Sequence, residues 1–265
     1  MTRFSRPASA GAWGLAALWV LYLVMWSGGV ATYVLHGGVR PGDEWAAPLF
    51  LTIAAVLVIA AASPDRAAVL VAAGLVGLTF EWIGLHGSWF FGEYVYTDVL
   101  APKAAGVPLV MISAWLVLVA YVHDLLQDQP WPAAAKVAAG AALLTTIDLL
   151  IDPLAAGQLG YWTWAAGGAY YGVPAQNFAG WFAAGIVILG ILHALIGGSS
   201  TSPTARPVGL SIVLFFTVVA IAFGLVVPAI AGVAVCALHV RLASRPSPYA
   251  PAPGERDLRS GQAGD

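Results

Sequence analysis

Residues 208–240 read VGLSIVLFFTVVAIAFGLVVPAIAGVAVCALHV, thirty-three consecutive positions without an acid, a lysine or an arginine. As one helix at 1.5 Å per residue this tract would run to about 50 Å, well past a hydrocarbon core of roughly 30 Å. Gly224 and Pro228 near its middle are the natural break, so the tract is expected to form two short spans. Reading outward, further apolar stretches lie near 178–196, 133–152, 106–123, 67–86, 47–62 and 12–34. Each comes close to the ~20 residues that a spanning helix needs. The expected fold is all-α, a polytopic transmembrane helical bundle of about eight spans. Residues 1–243 form its single transmembrane domain.

Composition agrees with a chain housed in lipid. Of its 265 residues 60% are hydrophobic and 9% charged, against roughly a quarter charged in soluble domains. The 11 basic and 13 acidic residues cannot coat a soluble fold of this length. A net charge of −2 supplies no basic stripe for nucleic acid. The single cysteine, Cys236, excludes an internal disulfide framework and a Cys-rich metal site, and reads as a small apolar helix residue.

Basic residues test the span count. A cytoplasmic N-terminus places Arg3, Arg6, Arg66, Lys136, Arg206, Arg241 and Arg245 in the cytoplasm and leaves only Arg40 and Lys103 outside. Seven spans would carry Arg241 and Arg245 outside, against the positive-inside bias, so eight is the better reading. The first apolar stretch is too long for a signal peptide, carries Trp13, Trp19, Tyr22 and Trp26, and lacks a clear A-x-A site. An uncleaved first helix is therefore expected. Residues 244–265, rich in Pro, Arg and Gly, are expected to form a disordered cytoplasmic tail.

Two stretches echo each other when aligned on their acids. Glu81 precedes Tyr94 by 13 residues, in the run Phe91-Gly92-Glu93-Tyr94-Val95-Tyr96, and Asp148 precedes Tyr161 by 13, in Tyr161-Trp162-Thr163-Trp164. Each run leads to Gly-Val-Pro, at 106–108 and 172–174, and then to the next span. Proline is tolerated there, in a helix's first turn. Spans 3–4 and 5–6 thus read as parallel repeats about an axis along the membrane normal, with both aromatic loops on the extracytoplasmic face.

Ionisable groups inside a membrane helix cost at least about 2.5–3.5 kcal/mol each at its centre, so Glu81, Asp148 and Asp152 need a reason. Asp148 and Asp152, four apart, share one helix face. Glu81 and Asp152 stand near helix C-termini, where the macrodipole disfavours negative charge, as burial does. A carboxylic acid still protonated near neutral pH is the expected result, able to donate to a substrate. Around these acids crowd Tyr94, Tyr96, Trp162, Trp164, Tyr170, Tyr171 and Trp181, either an interfacial aromatic belt or a π-rich pocket able to stabilise a carbocation. Asn177, at the start of span 6, reads equally as a helix cap and as a substrate or water contact. The five histidines show no metal-ligand spacing; His86 is a candidate partner of Glu81, and His123 with Asp124 an anchor for span 4.

The runs Asp148-Leu149-Leu150-Ile151-Asp152-Pro153, Tyr161-Trp162-Thr163-Trp164, Tyr170-Tyr171-Gly172-Val173-Pro174 and Asn177-Phe178-x-Gly180-Trp181 together resemble the membrane carotenoid-biosynthesis family. Glu81-Trp82-Ile83-Gly84, Phe91 to Tyr96 and Gly106-Val107-Pro108 match its first block, so the signature region spans about 81–181. Characterised members of that family hydrate the linear (ψ) ends of carotenoids. The resemblance therefore implies addition of water to a terminal trisubstituted alkene, giving a tertiary alcohol.

Protonating the CH carbon of such an alkene leaves a tertiary cation that water captures, which takes one buried acid, an aromatic lining, a positioned water and a base. No metal, flavin or nicotinamide is needed. Asp148 or Glu81 is the expected acid and Asp152 the group that orients water or takes its proton. Glu93 and Asp98 are candidates at the pocket mouth. The expected partners are a membrane-dissolved carotenoid, the bilayer and other carotenoid-pathway membrane enzymes. Rival readings are a carotene cyclase, a membrane prenyltransferase using Asp148-x-x-x-Asp152, and a proton-coupled transporter built on the repeats.

Overall fold

The computed structural model describes residues 10–39, 41–197 and 202–244, so Arg3, Arg6, Arg40, Arg245 and the tail beyond Ser244 lie outside the described residues. Among those described, eight helices follow one another: α1 (Ala10–His36), α2 (Ala46–Ala60), α3 (Pro64–His86), α4 (Met111–Leu126), α5 (Ala133–Ala156), α6 (Ala175–Ile196), α7 (Ala205–Ala222) and α8 (Val226–Ala243). Six are long and apolar enough to cross a membrane; α2 and α4, with 15 and 16 residues, are shorter. Helix α4 is the axis of the bundle. Every residue from Trp115 to Leu126 is buried, with α2, α3, α5 and α7 packed around it, so protein rather than lipid surrounds it. Leu35, Ile221, Ile230 and Val240 remain exposed on the outer helices, as lipid-facing side chains do.

The 208–240 tract breaks where glycine permits. Gly224 takes φ 70° just after α7, a left-handed conformation that costs glycine little. Pro228 plays no part in the break; it sits in the first turn of α8, where its missing N–H leaves no bond unmade.

Backbone geometry repeats in the two halves of the echo. Between α3 and α4 lies β1 (Tyr94–Tyr96), and between α5 and α6 lies β4 (Trp162–Trp164). They pair antiparallel with Val95 opposite Thr163 at the centre. The turn Ala105-Gly106 joins β2 (Lys103–Ala104) to β3 (Val107–Pro108) with φ of 48° and 84°. Tyr171-Gly172, inside the Tyr170–Val173 bridge, has φ of 49° and 84°. Positive φ at both central residues marks a type I′ turn. Helix α3 packs on α4 and α6, and α5 on α6 and α4. The two halves thus share a short strand, a type I′ turn and helix neighbours. The halves diverge at proline: Pro174 caps α6 directly, whereas Pro108 belongs to β3 and α4 starts only at Met111.

Candidate active site at the lid

Helix α3 carries Glu81 one turn above Gly77, on the same face. A Cβ at Gly77 would lie 2.2 Å from the Trp115 ring, so glycine is what lets that indole lie flush against α3. From there Trp115 Nε1 donates to Glu81 Oε1 at 2.9 Å. Strand alternation turns Tyr94 and Tyr96 inward and Val95 outward. Both hydroxyls donate to Glu81 Oε2, at 2.9 and 2.7 Å. Three donors on one buried carboxyl suit an acceptor-only carboxylate. Burial and the adjoining Glu81 push both phenols well above their ordinary range, so they stay donors.

The other half supplies Asp148 and Asp152, both buried and one turn apart on α5. Asn177 Nδ2 donates to Asp148 Oδ2 at 2.7 Å and to Asp152 Oδ2 at 2.6 Å, one amide hydrogen to each. The Asn177 side chain is therefore a bridge between the two acids, and Pro174 holds the cap position. Trp162 Nε1 donates to Asp152 Oδ1 at 2.8 Å.

The two halves meet across a small cavity of about 20 Å³ lined by Glu81, Asp152, Asn177, Tyr94, Tyr96, Trp162, Trp164 and Trp181. Such a volume admits about one water molecule. Asp148 stands behind Asn177 and outside this lining. The lining is rich in rings: Trp181 stacks on Trp115 at 4.3 Å, and Tyr94 lies 5.1 Å from Trp164. The Trp164 indole N–H is buried there without an acceptor in hydrogen-bonding geometry.

Other expected site residues stand elsewhere. Glu93 is exposed, and only its backbone carbonyl bonds the lid, to Ala165 N. Asp98 is exposed and pairs with Lys103 at 2.6 Å. Tyr170 donates to the Leu149 carbonyl at 2.8 Å, and the half-exposed Tyr171 reaches toward Val227 N of α8. His86 bonds the Trp82 carbonyl on its own helix and leaves Glu81 alone. Trp115 was legible only as an apolar span residue, although a buried indole N–H usually finds an acceptor.

Residues 45–239, most of the chain, match the model of the family described as carotenoid biosynthesis protein. A bisanhydrobacterioruberin hydratase of Haloarcula japonica is 32% identical over 128 residues, covering 44% of this chain and 41% of that protein. The match thus spans less than half of that relative's length. No solved structure matches the chain.

Proposed function

The chain belongs to the carotenoid biosynthesis protein family, and from that premise we propose that it adds water to the terminal double bond of a linear carotenoid end. One observation carries this reading: carboxyl groups from α3 and α5 face a water-sized, ring-lined chamber. Asp148 and Asp152 share one amide nitrogen, and two ionised carboxyls so placed would repel, so the pair holds a proton between them. Asp152, the member on the chamber, gives that proton to the alkene CH carbon, forming a C–H bond and a tertiary cation. Glu81, fixed by three donors, supplies the opposing negative charge, and the rings face the cation. Water then forms a C–O bond to the cation and returns its second proton to Asp152. One water is consumed and the acid is regenerated.

Entry of an alkene end requires the ring side chains of the β1–β4 lid to move, while the helix backbones stay packed. A diphosphate substrate finds no lysine or arginine among the residues lining the chamber, which favours hydration over prenyl transfer. Arg66, Lys136, Arg206 and Arg241 gather at the end away from the lid, which supports cytoplasmic termini and an outward-facing lid.

Expression in a lycopene-producing bacterium tests the reading by mass spectrometry of the extracted carotenoids. Product heavier by one water is expected, and Asp152→Asn or Asp148→Asn should lower its yield by about 10²–10⁴-fold. Unchanged carotenoid mass at full expression of the native chain would sink the proposal. An isomer of unchanged mass would point instead to cyclisation.

A further inference from the structure

A second and much larger cavity, about 640 Å³, lies between α1, α2, α7 and the turn from α5 to β4. Its walls carry the rings of Tyr33, Trp45, Phe50, Tyr161, Phe215 and Phe216. Asp43 and Glu44 stand among the lining residues, and no lysine or arginine does among those described. Neighbouring residues of extended chain point to opposite faces. Trp162 bonds Asp152 in the acid chamber, while Tyr161 lines the large cavity beside Tyr33 of α1. The Tyr161 and Trp162 rings are 6.3 Å apart, so one residue step of the chain separates the compartments.

We propose that this cavity seats the conjugated chain of the isoprenoid whose end reacts in the acid chamber, with Tyr161 as the partition that the end crosses; this rests on the hydratase reading. The volume falls in the ~300–1,000 Å³ range of small-molecule sites, and flat rings suit a flat polyene. Charge selects against the obvious competitor. A phospholipid would bring its phosphodiester to Asp43 and Glu44, with no lysine or arginine among the described lining residues, whereas a hydrocarbon polyene brings no charge.

Gly28 offers the test, because a Cβ there meets nothing within 4 Å and the position lines the cavity. Full-length Asp148→Asn protein in detergent is titrated with lycopene, and binding is read from the polyene absorption shift and tryptophan quenching, independently of turnover. Adding Gly28→Phe, or Ala47→Phe on the facing wall, should weaken binding at least tenfold. Gly14→Phe, equally open but away from the cavity, should leave binding unchanged. Full-strength binding in both folded cavity variants would overturn the assignment and leave the hydratase reading standing, provided the native chain still yields hydrated product. No binding in any protein, together with no product in cells, would overturn both. Phospholipid recovered one-to-one from the native chain and lost from Gly28→Phe would overturn the polyene as occupant.

Discussion

Trp164 lines the acid chamber with a side chain that is incompletely hydrogen-bonded. Its partner across the strand pair, Tyr94, spends its hydroxyl on Glu81, and Trp162 spends its N–H on Asp152. Trp164 Nε1, buried at the one-water cavity, stands close enough to Asp152 to interact with its carboxyl but makes no hydrogen bond of ordinary geometry. In the proposed hydration, a water oxygen in the cavity accepts from Trp164 and stands beside the carboxyls, so Trp164 would anchor the nucleophile. Trp164→Phe keeps the ring and removes the donor. Hydrated product should fall about tenfold or more, and isomers of unchanged mass should rise as the cation loses a proton before water reaches it. An unchanged ratio of alcohol to isomer, read by chromatography and mass spectrometry, would remove the role. At this scale the sequence is legible where a residue is expensive. Glu81, Asp148 and Asp152 stand out because charge in a membrane helix has a cost. Asn177 was legible equally as a cap and as a contact, and Trp115 not at all, since an amide near a helix start and an indole in an apolar span each have ordinary explanations until the partner is seen.

Helix α5 carries Pro153 inside it, one residue after Asp152. Proline has no N–H, so the carbonyl four residues back, that of Leu149, loses its helical donor. The Tyr170 hydroxyl supplies the replacement at 2.8 Å. The turn bearing both aspartates is therefore held from outside the helix, by the loop whose I′ turn begins with Tyr171. Tyr170→Phe should leave the Leu149 carbonyl unpaired at about 1–3 kcal/mol, visible as a lower melting temperature in detergent. The rings of the acid chamber are untouched, so any loss of product should scale with the loss of folded protein. Element boundaries were legible from apolar length. The break of the 208–240 tract was too, although Gly224 alone makes it. The β1–β4 pairing was legible only as two similar loops, because register depends on how α3 and α5 stand relative to each other, which no local pattern encodes.

The whole molecule has two ends with different duties. At the lid end, short strands and side-chain rings line the chamber. About 22 Å away along α3, at 1.5 Å for each residue from Glu81 back to Arg66, the other end is tied by charge. Asp124, fully buried, receives Arg66 of α3 and His123 on Oδ1 and the Ser202 N–H on Oδ2, while its backbone carbonyl takes Arg206 of α7. Ser202 and Thr204 extend the tie to the Val58 and Leu57 carbonyls at the end of α2. One aspartate thus joins α3, α4, α7 and the α6–α7 connection, and through it α2, far beyond the local anchor that its position suggested. Removing one partner of a buried ion pair costs about 3–5 kcal/mol, because the other charge stays buried without its mate. Asp124→Ala should therefore lower thermal stability in detergent more than Tyr170→Phe does, while product formed per folded molecule stays near native, since nothing in the acid chamber contacts this cluster. A native melting temperature in Asp124→Ala would deny the cluster its structural role. A stable Asp124→Ala protein that makes no product would instead place Asp124 in the reaction itself.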